Sequence, residues 1–128
     1  MAPVLSLTPT DLEFGKRLAD ALKQSDFPYK GVFWLFEDQN DDWRLIVVTS
    51  LVEEKGRREA YLQLSRVTSG ISGTDFQQTR ITVMSTDDPL YRALHDVFAP
   101  AASVEGARLR NTTVNGIVVP EAYLYEIH

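Results

Sequence analysis

Apolar and polar positions along the chain alternate with two different periods, and the changes between them mark out the elements. After Thr8-Pro9-Thr10-Asp11, the residues Leu12, Gly15, Leu18, Ala19 and Leu22 recur at helical spacing, opposite Lys16, Arg17, Asp20 and Lys23. Thr8 suits a cap, Pro9 the first helical position and Asp11 the positive end of the helix dipole, so a helix is expected to end near Gln24. Gly15 falls on the apolar stripe, where it permits close approach to a sheet. Two β-prone runs follow, Val32 to Phe36 and Trp43 to Leu51, around a short polar stretch, which is a hairpin pattern. Both faces of the second run are largely apolar, as in an interior strand covered on both sides.

Glu53-Glu54-Lys55-Gly56 reads as a turn, and Arg57 to Val67 as a second helix with Ala60, Tyr61, Leu64 and Val67 inward. Ser69 to Asp75 is glycine-containing but lacks the lysine and spacing of a phosphate loop. Thr79 to Ser85 is a third strand. Asp87-Asp88-Pro89 opens a third helix whose stripe is Leu90, Leu94, Val97 and Phe98. Ala107 to Val114 and Ile117 to Val119 flank Asn115-Gly116, a strong tight-turn signal. Pro120 marks an edge, a bulge or a break, before Tyr123, Tyr125 and Ile127 alternate with Ala122, Leu124 and Glu126. The order α-β-β-α-β-α-β-β predicts an α+β class, with a mainly antiparallel sheet and helices over at least one face.

Composition narrows this little. The 128 residues suit a single domain. The absence of cysteine excludes disulfides, thiolate metal sites and a cysteine nucleophile, and fits a reducing cytoplasm. A net charge of −5 disfavours nucleic acid as a partner. No apolar run reaches membrane-spanning length, and the N-terminal residues lack the basic region of a signal peptide.

Four groups of residues invite a chemical reading. Glu37, Asp41 and Asp42, followed by Glu53-x-Lys55, have the residue types of a metal-dependent PD-(D/E)xK nuclease, in which two carboxylates hold Mg²⁺ and a lysine orients water. Glu53 and Lys55 fall in a turn rather than on a strand, and no proline precedes the first acid. Arg57 and Arg58 open a helix and could meet a phosphate or an acidic partner. Arg108 and Arg110 alternate on one strand and Tyr123 and Tyr125 on another, a surface suited to cation–π contacts if those faces meet. Trp34 and Trp43 would suit a small-molecule pocket if a concave surface enclosed them. His95 and His128 form no ligand pair, His95 being expected to pack partly buried, and no metal or cofactor is implied.

Phe-Trp-Leu-Phe, Asp-Trp-Arg-Leu-Ile-Val, Gly-Arg-Arg-Glu-Ala-Tyr, Asp-Asp-Pro-Leu and Asn-Gly-Ile-Val-Val-Pro-Glu-Ala-Tyr-Leu-Tyr together resemble a set of small bacterial hypothetical proteins. The resemblance implies a bacterial cytosolic protein and no particular activity. The expectation is a non-enzymatic interaction module that binds a protein partner, or itself as a homodimer, through a sheet edge or a helix face. A nuclease-like domain and a tryptophan pocket are the alternatives.

Overall fold

The structure, a computed structural model, describes residues 7–37, 42–71, 80–101 and 103–128. Its elements are α1 (Pro9–Lys23), β1 (Gly31–Glu37), β2 (Asp42–Val48), α2 (Leu51–Lys55), α3 (Arg57–Thr68), β3 (Ile81–Met84), α4 (Pro89–Phe98), β4 (Ala107–Val114) and β5 (Ile117–Ile127). The strands form one five-stranded sheet in the order β3-β2-β1-β5-β4. Every neighbouring pair is antiparallel except β2 and β3, which run parallel because α2 and α3 carry the chain back between them. The fold is α+β, with the expected element order and one added short helix. The expected turn after the second strand is α2, and β2 stops at Val48 rather than Leu51.

Local chemistry explains the boundaries. Thr8 and Asp11 form a reciprocal capping box, with Pro9 in the first turn. Asp88 caps α4 through the Leu90 N–H. Asn115 and Gly116 take φ of 47° and 81°, as a two-residue hairpin turn between β4 and β5 requires. Among the residues of the expected α4 stripe, Val97 is half exposed; Tyr91, Ala93 and Leu94 are the ones buried.

Two apolar clusters lie on opposite faces of the sheet. One gathers Val32, Trp34, Phe36, Leu45 and Val47 with Phe14, Leu18 and Leu22 of α1 and Ala60 and Leu64 of α3. The other gathers Phe33, Ile46, Val48, Ala122 and Leu124 with Tyr91 and Leu94 of α4. Alternating residues of β1 and β2 therefore serve different clusters, so both strands read as nearly continuous apolar runs.

Strand β5 departs twice from simple alternation. The β1–β5 register slips between Val32 and Phe33, which leaves Tyr125 as an extra residue. Tyr125 and Glu126 consequently both reach α1 or the loop after it, and Ile127 joins Ala122 and Leu124 instead of the tyrosines. The second departure falls at Pro120. The register sets it opposite Asn111, which has φ of 44°, and the run of paired residues skips both. Apolar positions facing α4 accordingly jump from Val119 to Ala122, and from Leu109 to Val114 across the matching stretch of β4. Pro120 lies past the last β1 pair, Leu35 with Ala122, so its missing N–H leaves the β1–β5 ladder intact.

Gly15 is where α1 meets the sheet. A Cβ there would overlap the Tyr125 ring. Intrinsic propensity favours Gly15→Ala by about 1 kcal/mol, whereas overpacking costs about 1–3 kcal/mol. The expected result in urea denaturation is a net loss of stability. A more stable variant would remove the contact from this account.

Candidate functional site

The described acidic residues do not assemble. Glu37 and Asp42 pair across the closed end of the β1–β2 hairpin. Glu53 and Lys55 lie in α2, beyond the other end of β2, and a seven-residue strand places on the order of 20 Å between the two groups. Asp41 lies outside the described residues. Glu53 instead fastens α2 to the turn before α4: its carboxylate accepts from the Ser85 and Thr86 hydroxyls and from the Thr86 N–H. Burial opposes ionisation of Glu53, but the bonds from Thr86 and Ser85 outweigh it and hold the carboxyl below its usual range. Among the described residues no three His, Cys, Asp or Glu converge in a way that would hold a metal ion.

The tryptophans are core. Trp34 is fully buried and Trp43 nearly so, packed edge-on against Phe36. The Trp34 indole N–H donates to the Tyr125 hydroxyl at 3.2 Å, and that hydroxyl donates to the Leu12 carbonyl at 2.8 Å. The Arg80 guanidinium lies 4.7 Å from the Trp34 ring centroid and pairs with Asp11 at 2.6 Å. No ligand face remains on Trp34. Tyr125, expected on a contact surface, is a buried structural residue whose phenol is pushed up by burial.

The remaining expected binding residues divide. Arg57 donates from Nη1 to the Val83 carbonyl at 2.6 Å, while the Tyr61 hydroxyl accepts from the Val83 N–H at 3.2 Å. The outer edge of β3 is thereby occupied at Val83 by two side chains of α3. At the opposite edge the Thr112 hydroxyl bonds both the N–H and the carbonyl of Arg110. Arg108 sits opposite Tyr123 with its guanidinium 5.6 Å from the ring centroid, and Arg110 pairs with Glu121 at 3.1 Å. His95 is exposed, beside the Tyr91 ring, rather than packed inward.

Several hollows of about 310–400 Å³ open on the surface, and two of them hold residues of interest. The first, about 400 Å³, lies between α3 and β3, lined by Arg58, Tyr61, Leu62, Leu64, Thr68 and Ile81. Its surface is predominantly apolar, and Leu62 is 50% exposed at its margin. Leu62 is the site residue that the expected binding set lacks. Its signal is an apolar residue directly after Tyr61 that the inward helical stripe does not need. The second region, about 360 Å³, is polar and includes Lys23, Glu105, Glu126 and His128. There Glu126 Oε1 receives hydrogen bonds from Tyr29 at 3.0 Å and from His128 at 2.8 Å, with Lys23 4.0 Å from Oε2. Burial and the adjacent carboxylate push the Tyr29 phenol up. The α3 hollow can seat an apolar group; the polar one fastens the loop after α1 to the end of β5.

Asp11 gives the pH dependence of this framework. Burial alone would raise its carboxyl, but the Thr8 N–H and the Arg80 guanidinium outweigh burial and hold it below 3.8. A lowered folded value means stability that is complete above the unfolded value and disappears as pH falls through the folded one. Asp11→Asn is expected to cost about 1–2 kcal/mol near neutrality and nothing at strongly acid pH. Urea midpoints across a pH series measure this, and a penalty that persists in acid would refute the assignment. No protein-family model, curated protein or solved structure matches the chain.

Proposed function

We propose that this is a cytoplasmic, non-enzymatic interaction module whose contact face is the outer side of α3. The observation that carries this reading is the apolar hollow beside β3, with Leu62 half exposed and Tyr61 38% exposed at its rim. A fully buried leucine gains about 1.5–3 kcal/mol, so roughly half of that is still available at Leu62 for association. An apolar knob beside an apolar hollow is the arrangement of a contact anchor rather than of a scattered surface leucine.

Edge pairing is the weaker form of the same idea. Val83 at one edge and Arg110 at the other already have their outward backbone groups bonded to side chains. An incoming strand would have to displace Arg57 and Tyr61 at the β3 edge, or Thr112 at the β4 edge, to continue the ladder there. The helix face carries no such cost.

A second surface has its own support. Arg108 over Tyr123 is an exposed cation on an aromatic ring, the residue pairing common at interface centres. Arg110 beside it is compensated by Glu121, which weakens the charge this surface offers.

Photo-crosslinking separates the two. A benzophenone amino acid placed at Leu62, at Arg108 or at Lys30 as an exposed control is irradiated in cells, and adducts are identified by mass spectrometry. The Leu62 position is expected to give a discrete adduct with a second polypeptide, and Leu62→Ser to weaken the purified pair by about tenfold or more. As a half-exposed substitution it should cost the fold only about 1 kcal/mol. An adduct from Arg108 alone would move the contact face to the β4–β5 hairpin, and no adduct above the Lys30 control would overturn the reading.

A further inference from the structure

Resting on the α3 reading above, we infer that the partner presents an acidic amphipathic helix, with an apolar side chain entering the hollow and carboxylates meeting Arg58 and Arg66. The inference starts from spacing. Arg58, Leu62 and Arg66 succeed one another at intervals of four residues on α3, so they form one stripe, basic–apolar–basic, along its outer face. All three are exposed, and Arg58 also lines the hollow.

Neither arginine is committed elsewhere among the described residues. Arg57 is tied to the Val83 carbonyl, and Glu59 is half-buried and accepts from Gln63 at 3.2 Å within the helix. The stripe is therefore locally cationic in a chain of net charge −5. Two guanidinium groups one turn either side of an apolar anchor are matched by carboxylates one turn either side of a partner's anchor. A helix supplies that spacing without further ordering, and helix-in-groove docking uses such i, i+4 anchors.

Charge also selects against the other occupants. A second copy related by a two-fold axis would bring α3 arginines toward α3 arginines, cation against cation. A nucleic acid gains affinity from many phosphate contacts, whereas this stripe offers two cations around a leucine.

The probe is a set of three synthetic helical peptides about four turns long, sharing one leucine anchor and carrying Glu, Gln or Lys four residues before and after it. Binding to the full chain is read by fluorescence anisotropy. The Glu peptide is expected to bind at least about tenfold tighter than the Lys peptide at low salt. That ratio should shrink as salt shortens the Debye length to about 8 Å, and invert in Arg58→Glu/Arg66→Glu. Thermal melts confirm that this exposed double variant stays folded. Equal binding of all three peptides, lost in Leu62→Ser, would overturn the acidic partner and leave the contact face standing. Absence of binding by every peptide, or binding indifferent to Leu62→Ser, would overturn both. Binding of a DNA duplex in preference to the Glu peptide, or a dimer in light scattering, would also overturn the inference.

Discussion

The fold depends on how one indole is satisfied. Trp34 sits at the centre of the sheet, fully buried, and a buried N–H without a partner costs about 1–3 kcal/mol. Its donor reaches Tyr125, and Tyr125 reaches the backbone of α1 at Leu12. That chain works only because Gly15 leaves room for the Tyr125 ring and because a bulge turns Tyr125 toward α1. The flank of the same indole is closed by Arg80, held by Asp11 in the cap of α1. Helix position, strand register and the approach to β3 are thus tied to a single side chain.

Other carboxylates act in the same manner. Asp11 joins α1 to the start of β3, Glu53 joins α2 to the turn before α4, and Glu126 joins β5 to Tyr29 after α1. Each accepts from at least two donors, at least one of them far away in sequence. An acidic residue followed two positions later by lysine resembles a metal site in sequence. In three dimensions Glu53 is engaged by Ser85 and Thr86, and Lys55 is exposed at the end of a short helix.

Much of the fold could be read along the chain because its determinants are local. The Thr8–Asp11 capping box, Pro9 and Pro89 at helix starts, and Asn115-Gly116 at the hairpin all act within four residues. What escaped that reading depends on two strands at once. Period-two alternation puts Tyr123, Tyr125 and Ile127 together, but the slip opposite Val32 separates Ile127 from them. Pro120 announces an irregularity without saying that Asn111 would match it on the neighbouring strand. The binding residues divided for the same reason. Arg58, exposed on a helix, is placed by its own periodicity, whereas the surroundings of Tyr125 are built by α1 and β1.

Sealing the sheet and exposing α3 belong to one arrangement. Arg57 and Tyr61 turn toward β3 to occupy its outer backbone groups, which spends the first turn of α3 on the fold. Ala60, Leu64 and Thr68 take the buried side. Arg58, Leu62 and Arg66 are among the positions that neither this buried side nor the β3 edge uses. Half of the Leu62 side chain is in water, so the fold draws on only part of its apolar surface. The leucine at this position, set against the hollow between Tyr61 and Ile81, therefore presents apolar surface that the fold leaves uncovered.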